Sequence, residues 1–479
     1  MRAPLWHRGA LAAAISLTLA GTGSVFAAEP SNAEMLKRIE RLEKKNEALE
    51  KALEGERVSE EEPEVATRLK AVEFQTLSMQ KQARTIESLE GITAGVSFTT
   101  VAQHASGSAT TNGGSESQWN YRADVSVSLP GGEIGNAEGS LFAHFRMGQG
   151  DGLTRILPTF GGANATGFHV QGQRPDDSAT VLLAQAWYQL DVPLPLGGFK
   201  PHSREKFSFN FDKMDPFLFF DQNAIADDET ARFLNTAFVH NPLLDAGGDV
   251  GVDAFGFTPG LRFAYHNETT KPITWDASLG VFGAGRGAAF SDSFEKPFAI
   301  AQFETAQKFF GGLNGNYRLY VWRNGQATAY ANESDTQTEK HAGWGMSLDQ
   351  RVGDATTLFA RYGRQTQGKT RFDRAVTLGA EFGGSYWDRG ADAVGVAFGQ
   401  LHTSVDFRND APTLDANADG NADFGYAASG AEQLIDLYYR WRVHAQFEVS
   451  PDLQHVSRPA GNGAAKDVNL IGLRAQLTF

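Results

Sequence analysis

The last eleven residues, NLIGLRAQLTF (469–479), restrict the possible folds more than any other stretch of this chain. Every second side chain is apolar, in the order Ile471, Leu473, Ala475, Leu477 and Phe479. The residues between them are polar or small, and they include Arg474. Because successive side chains of a β-strand point to opposite faces, this alternation predicts a strand with one continuous apolar face. The strand ends on an aromatic residue, whereas chain ends are usually polar and frayed.

The same alternation recurs from Gly91 onward, interrupted by clusters of Gly, Asn and Asp. The clearest example is SQWNYRADVSVSL (117–129). Further runs are SLFAHFRM, EKFSFNFD, PGLRFAYHN, TWDASLGVFG, NYRLYVWRN, GWGMSLDQ, TLFARYG, AVTLGAEFG, QLIDLYYRWRV and AQFEV. Together with weaker candidates they predict about sixteen strands, each near the length that a tilted membrane strand needs.

The residue types on the two faces indicate which solvent the apolar face meets. The chain contains 52 Gly and 34 Phe, and only 41% of it is hydrophobic, which suits many strands and turns with a thin apolar surface. The polar face mixes small residues with isolated charges of both signs, as a narrow aqueous lumen requires. Aromatic residues such as Trp119, Trp344 and Trp441 recur near strand ends, as in interfacial girdles. We therefore predict an all-β fold, an antiparallel transmembrane β-barrel over residues 91–479, with a secreted carbohydrate-binding β protein as the soluble alternative.

The N-terminus has the three parts of a secretory signal peptide. Arg2 and Arg8 precede a short apolar stretch, and VFA (25–27) supplies a small-residue cleavage site. The apolar stretch is too short to span a bilayer. Residues 1–27 are therefore predicted to be a signal peptide that directs export.

Residues 28–90 differ in composition and are rich in Glu, Lys and Arg. Alternating three- and four-residue spacing marks the seam of a coiled coil, formed by Met35, Ile39, Leu42, Asn46, Leu49 and Leu53. We predict a periplasmic α-helical coiled coil that makes the protein a homotrimer, with possible peptidoglycan contact. The alternative is a single solvated helix, because the heptads are few.

Composition excludes several function classes. The formal net charge of −14 provides no basic surface for nucleic acid. The absence of cysteine excludes disulfides and Cys-based metal or redox sites. Neither a Gly-x-Ser-x-Gly elbow nor a His-x-x-x-His pair is present. We therefore predict no catalytic residues, metal or cofactor, and an outer-membrane hydrolase is a weaker alternative without a named triad.

One insertion interrupts the series of strands. FDKMDPFLFFDQNAIADDETARFLNTAFVHNPLLD (211–245) places Phe233, Leu234, Ala237 and Phe238 at helical spacing, and DDET supplies capping acids for a helix. This pattern predicts a partly helical loop that folds inward and constricts the lumen. An ordinary surface loop with one helix is the alternative.

Two stretches resemble the carbohydrate-selective porin family of OprB type. They are FFDQNAIADDETARFLNTAFVHNP in the insertion and LYYRWRVHAQFEVSPDLQHVSRPAGNG followed by LIGLRAQLTF at the end. The resemblance covers roughly residues 90 to 479 in order and spacing. It implies an outer-membrane barrel of about sixteen strands in which an inward loop forms a constriction and sugars or other small solutes pass by diffusion. The N-terminal coiled coil is not part of the best-known members.

Charged and aromatic side chains on the polar face are the candidate pore residues. Those that we predict to line the constriction or lumen are Asp228, Glu229, Arg232, Arg440, Arg442, Arg318, Trp322, Arg146 and Asp436. Opposed charges across a lumen produce a transverse field that orients water and solutes, while several of these groups could instead pair for barrel stability. The arginines would favour anions or anionic sugars, so a general or anion-selective porin is an alternative to a sugar porin.

A last motif, DANADGNADFGY (415–426), matches the first half of a calcium loop. Asp415, Asn417, Asp419 and Gly420 have the expected spacing, but Tyr426 occupies the twelfth position, where a bidentate Glu is needed. The motif therefore predicts an Asn/Asp-rich extracellular loop, with weak Ca²⁺ binding as the minority alternative.

Overall fold

The computed structural model describes residues 36–37, 39–47, 91–168, 180–196, 203–244 and 255–479. The chain divides into two compact units, residues 1–90 and 91–479. In the first unit, residues 36–37 and 39–47 are helical. The predicted signal peptide and most of the predicted coiled coil lie outside the described residues. No helix in the described parts has both the length and the hydropathy needed to cross a bilayer.

The second unit is a closed β-barrel in which every strand pairs antiparallel with its neighbours along the chain. The sixteen strands in the described part of this unit are β1 Thr93–Ala105, β2 Glu116–Ile134, β3 Ala137–Gln149, β4 Thr180–Leu194, β5 Glu205–Met214, β6 Thr258–Asn267, β7 Thr274–Phe282, β8 Phe298–Phe309, β9 Leu313–Thr328, β10 Thr338–Arg351, β11 Thr356–Gln367, β12 Phe372–Gly383, β13 Ala393–Thr403, β14 Ala431–His444, β15 Phe447–Ser457 and β16 Val468–Thr478. The barrel closes where β16 pairs with β1. The predicted strand number and antiparallel order are confirmed.

Closure explains the unusual C-terminus. The backbone of Phe479 exchanges two hydrogen bonds with the backbone of Val96 on β1, with N to O distances of 2.8 and 3.0 Å. The predicted faces of β16 are also correct, because Ile471 and Leu473 are 62% and 51% exposed on the outer wall while Arg474 is 2% exposed inside. In lipid, every backbone polar group must be satisfied internally, which a closed ladder achieves.

The two ends of the barrel differ in their connections. One end, called the turn end here, has short connections such as residues 135–136, 310–312 and 445–446, and the chain ends there. The opposite end, the loop end, has longer connections such as residues 404–430. Short helices lie in the connections: α1 Thr236–Val239, α2 Val405–Asp410, and 3-10 turns Gly107–Ala109, Pro216–Leu218, Gly285–Ala289, Ala329–Ala331, Gly384–Trp387 and Pro459–Gly461.

The connection between β5 and β6 enters the barrel, and its residues 215–244 are called the inward segment. Its apolar side chains pack on the inner wall: Phe233 lies 5.7 Å from Phe359 and 5.0 Å from Tyr438 between ring centroids, and Phe220 lies 6.0 Å from Phe282. A buried apolar core thus fills part of the lumen. This packing explains why apolar residues occur in the segment without strand periodicity.

The predicted helix in this segment is wrong for most of its length. Only α1, a single turn, is helical, and its cap is Asn235, whose side chain accepts a hydrogen bond from the Ala237 N–H. The acids of DDET do not cap it. The preceding backbone is irregular because several of its N–H and C=O groups bond to wall side chains and to Ala165 in the connection between β3 and β4, instead of forming the continuous i→i−4 series of a helix.

Candidate pore constriction

A buried ion pair anchors the first part of the inward segment to the wall. Asp221 is fully buried, and its carboxylate lies 3.2 Å from Arg361 Nε on β11. Arg361 also donates to the backbone carbonyls of Asp221 and Phe238 at 2.9 and 3.0 Å. The same carboxylate accepts hydrogen bonds from the Tyr320 hydroxyl and the Asn241 N–H. A buried charge is tolerated when it is paired and fully hydrogen-bonded, as here.

A second set of wall side chains holds the middle of the segment. Arg474 on β16 donates to the backbone carbonyls of Glu229 and Arg232. The Asn235 N–H donates to Asp436 on β14 at 3.1 Å. The inward fold predicted from the sequence is therefore present, and the segment contacts strands on opposite sides of the barrel.

A second stretch, residues 157–168 between β3 and β4, also lies inside the barrel. The N–H groups of Phe160 and Gly161 donate to the buried Glu432 carboxylate at 2.7 and 3.1 Å. The Ala165 N–H donates to the Leu234 carbonyl, which joins this stretch to the inward segment. The sequence prediction missed it. The length of the connection after β3 and its Gly- and Asn-rich stretch FGGANATG were the available signal.

Ion pairs connect the inward segment to two regions of the wall. On one side, Glu229 lies 2.7 Å from Arg122 Nη2 on β2. Arg122 and Arg146 both contact Asp124, at 3.0 and 2.7 Å from their Nε atoms. Their side chains are 5% and 17% exposed. This cluster brings together two predicted pore residues, Glu229 and Arg146.

On the other side, Arg232 Nε lies 3.2 Å from Glu381 Oε2 on β12. Arg440 Nη1 lies 3.9 Å from the same oxygen, and Arg442 Nη2 pairs with Glu448 at 2.9 Å. Three further predicted residues are thus brought together, from parts of the sequence about 200 residues apart.

Three other predicted residues, all on the wall strands, lie on the lumen face but are enclosed. Arg318 pairs with Glu304 and Asp349 at 2.7 and 3.0 Å. Trp322 is 3% exposed, and Asp436 is fully buried under the inward segment. These three side chains therefore support the wall and the segment, and they contribute little surface to the open lumen.

Two cavities lie on either side of residues 227–232. The first, about 350 Å³, is lined by Arg122, Arg146, Asp227 and Glu229 together with the rings of Phe217 and Phe257. The second, about 480 Å³, is lined by Asp228, Thr230, Arg232, Arg440 and Arg442 and lies toward the turn end. The narrow part of the lumen thus has charged side chains of both signs on both of its sides.

Burial changes the protonation of several groups in the inward segment. Burial raises the pKa of Asp215 to about 6, although His240 opposes the shift. The pKa of Asp227 is also raised by burial, against the hydrogen bond from His240. Burial alone would raise the pKa of Glu229, but Arg122 and Arg146 more than offset it and lower that pKa. Glu229 therefore stays ionised in the constriction.

The candidate calcium loop is engaged with its own backbone. The Asp415 carboxylate accepts the N–H groups of Asp419 and Gly420 at 3.0 and 2.8 Å. Asn417 Oδ1 also accepts the Asp419 N–H. Across the described ranges, no three His, Asp or Glu side chains are close enough to hold a metal ion. The motif thus acts as a turn device, which agrees with the loop predicted for it.

Comparison with known proteins decides the family. The model of the family described as carbohydrate-selective porin, OprB family, matches residues 205–479, more than half of the chain. The chain belongs to this porin family. The matched residues include the inward segment with Arg232, the strand β14 with Arg440 and Arg442, and the C-terminal strand. The resemblance stated from the sequence is therefore confirmed.

One solved structure agrees with this chain on the fold. The high-pH structure of Pseudomonas putida OprB is similar over 83% of this chain and 96% of that chain, with 18% sequence identity and a TM-score of 0.63. The low-pH structure of the same protein is similar over 84% of this chain and 96% of that chain, with 15% sequence identity and a TM-score of 0.46. A mutant of the Rh. blastica porin is similar over 81% of this chain and 100% of that chain, with 11% sequence identity and a TM-score of 0.41. No significant match was found among curated protein sequences.

Membership of the family and the barrel together identify the class of function. The protein is an outer-membrane porin for the diffusion of sugars. Porins act as channels and do not require turnover of a bound substrate. The charged constriction built by the inward segment is the part of this channel where selectivity can arise.

Proposed function

We propose that sugars cross the barrel through the space that the inward segment leaves open, and that the ion pairs of residues 227–232 determine its width and field. The observation that carries this proposal is the pair of cavities on the two sides of this short stretch. A solute in the lumen passes residues 227–232, which contribute side chains to both cavities. The residues predicted from the sequence, Asp228, Glu229, Arg232, Arg440 and Arg442, line this route.

The chemistry of the first cavity suits a sugar. Arg122, Arg146 and Glu229 offer charged hydrogen-bonding groups to hydroxyls, and Phe217 and Phe257 offer flat apolar surfaces to a ring. Conduction requires sites that bind well enough to admit a solute and weakly enough to release it. We infer passive diffusion down a concentration gradient, without catalysis or a cofactor.

The placement of the remaining parts follows from the barrel. Outer-membrane barrels have short periplasmic turns and longer extracellular loops, so the turn end faces the periplasm and the apolar outer wall contacts lipid. The chain enters β1 at the turn end. Residues 28–90 are then periplasmic after cleavage of residues 1–27, and a coiled coil there would join three copies into a homotrimer and could contact peptidoglycan.

Single-channel recording tests the proposed function. The purified protein is inserted in a planar bilayer under a salt gradient, with and without glucose and maltose. Stepwise openings whose current falls as sugar is added support a sugar channel, and openings in groups of three support the trimer. Current that does not respond to either sugar would favour a general porin, and the absence of openings would contradict a channel.

A further inference from the structure

Three arginine side chains surround the cavity at the turn end. Arg232 comes from the inward segment, and Arg440 and Arg442 come from β14; all three line a space of about 480 Å³. Alternation along β14 places both strand arginines inside, while Trp441 between them is 46% exposed on the outer wall. The fold thus concentrates three permanently charged groups in one space.

The carboxylates in the cavity lining do not cancel these charges. Asp228 and Glu448 face the three arginines, so the lining carries three positive and two negative groups. Asp228 Oδ1 already accepts the Thr230 N–H and hydroxyl at 2.9 and 2.6 Å. Glu448 accepts from Arg442. Glu381, next to this lining, pairs with Arg232, so Arg440 is the one arginine of the three without a described carboxylate at hydrogen-bonding distance.

Arg440 is the group whose donors are least satisfied. Its nearest acidic oxygen, Glu381 Oε2, is 3.9 Å away, which is beyond hydrogen-bonding distance. That oxygen already accepts from Tyr438 and Arg232 at 2.5 and 3.2 Å. Arg440 makes no hydrogen bond to any residue that the structure describes, although its side chain is only 15% exposed.

A guanidinium in this state can gain an acceptor from a solute. It has five N–H donors in a planar fork that matches the two oxygens of a carboxylate or the oxygens of a phosphate. Withdrawing such a group from bulk water without partners is unfavourable, and an oxyanion would relieve that cost. A neutral sugar hydroxyl supplies no charge to pair with Arg440.

We propose that Arg232, Arg440 and Arg442 bind the oxyanion of an acidic sugar, a carboxylate or a phosphate, at the turn end of the lumen. Ser97, Thr230, Gln446 and Gln476 line the same cavity and can bind the hydroxyls of the sugar. This site rests on the proposed function, since it is reached by a sugar that has passed the inward segment. It makes acidic sugars a preferred class among the solutes of the channel.

Blockage of the channel current by matched probes tests the site. Glucose and glucuronate share a pyranose ring and differ by one carboxylate, and glucose 6-phosphate carries a phosphate. We expect glucuronate and glucose 6-phosphate to reduce the current at concentrations roughly tenfold or more below that of glucose, because a hydrogen bond to a charged group is worth about one power of ten in affinity. Inorganic phosphate shows whether the oxyanion binds without the ring. Equal blockage by glucose and glucuronate would overturn the proposal.

Variants locate the effect. Arg440→Gln should weaken glucuronate blockage about tenfold more than it weakens glucose blockage, because the lost guanidinium pairs with the carboxylate alone. Arg323→Gln is the matched control, because it removes the same charge from the exposed outer face of β9. The proposal is wrong if the two variants respond alike. If Arg440→Gln forms no channels, Arg442→Gln is measured in its place. A wild-type channel whose current does not respond to glucose would count against the proposed function and not against this site.

Discussion

The Arg361–Asp221 pair should control how firmly the inward segment is held. Replacing Arg361 by Ala removes the ion pair to Asp221 and two hydrogen bonds to the backbone carbonyls of Asp221 and Phe238. The Asp221 carboxylate would keep only its hydrogen bonds from Tyr320 and Asn241. Leaving one buried charge without its partner costs about 3–5 kcal/mol.

Most of this cost should appear as release of the segment. Water in the lumen can solvate Asp221 once the segment leaves the wall, so the cost is bounded by the free energy of that local opening. A change of 3–5 kcal/mol shifts the ratio of docked to released segment by roughly two to three and a half powers of ten. The barrel ladder does not depend on this pair, and the strands should remain folded.

Single-channel recording of Arg361→Ala measures the effect. We expect additional conductance levels above that of the native channel, greater current noise and weaker blockage by glucose. The double change Arg361→Met with Asp221→Leu should restore much of the native behaviour, because replacing both partners of a buried pair by apolar residues is often neutral. Native conductance and native sugar blockage in Arg361→Ala would refute the assignment of this pair as an anchor.

Four further outcomes test the constriction and the N-terminal segment. Burial raises the pKa of Asp215 to about 6, so lowering the pH from 8 to 5 should protonate this group and shift the reversal potential toward anion selectivity. The reversal potential of Asp215→Asn should change less over the same pH range. The pKa of Asp215 is higher in the folded protein than in the unfolded chain. The stabilisation from Asp215 is therefore complete below the unfolded pKa and is lost as the pH rises through about 6. Urea unfolding of the wild type and of Asp215→Asn at pH 5 and pH 8 checks this prediction. Glu229→Gln should remove one of the two carboxylate partners of Arg122 and raise anion selectivity, and an unchanged reversal potential would count against the role of Glu229. Removal of residues 28–90 should leave channel activity and convert the proposed homotrimer to monomers in analytical ultracentrifugation, whereas a trimer that persists would place the contacts in the barrel.

The strands and their faces were predictable because alternation is a local property. The outward position of Leu473 and the buried position of Arg474 follow directly from residue parity. The partners of the inward segment were not predictable in this way. Asp221 and Arg361 are 140 residues apart, and nothing local to either residue shows that they meet.

Helical spacing was misleading for a related reason. Phe233 and Ala237 are four residues apart, as are Leu234 and Phe238, which is the spacing of a helix face, but these residues are apolar because they are buried inside the barrel. Tertiary hydrogen bonds from Arg474 and to Asp436 then replaced those of a helix. Asp436 and Trp322 were correctly assigned to the lumen face, yet parity alone could not show that they are enclosed.

Placement of the inward segment in the path of the solute can be measured directly, because the chain contains no cysteine. Ala231→Cys introduces a thiol into the cavity at the turn end, and Ala94→Cys introduces one on the exposed outer face of β1. Both variants are reconstituted in liposomes and treated with a bulky polar thiol reagent, and glucose influx is recorded before and after labelling. The account predicts a strong fall in influx for Ala231→Cys and none for Ala94→Cys. Equal influx through labelled and unlabelled Ala231→Cys would contradict it.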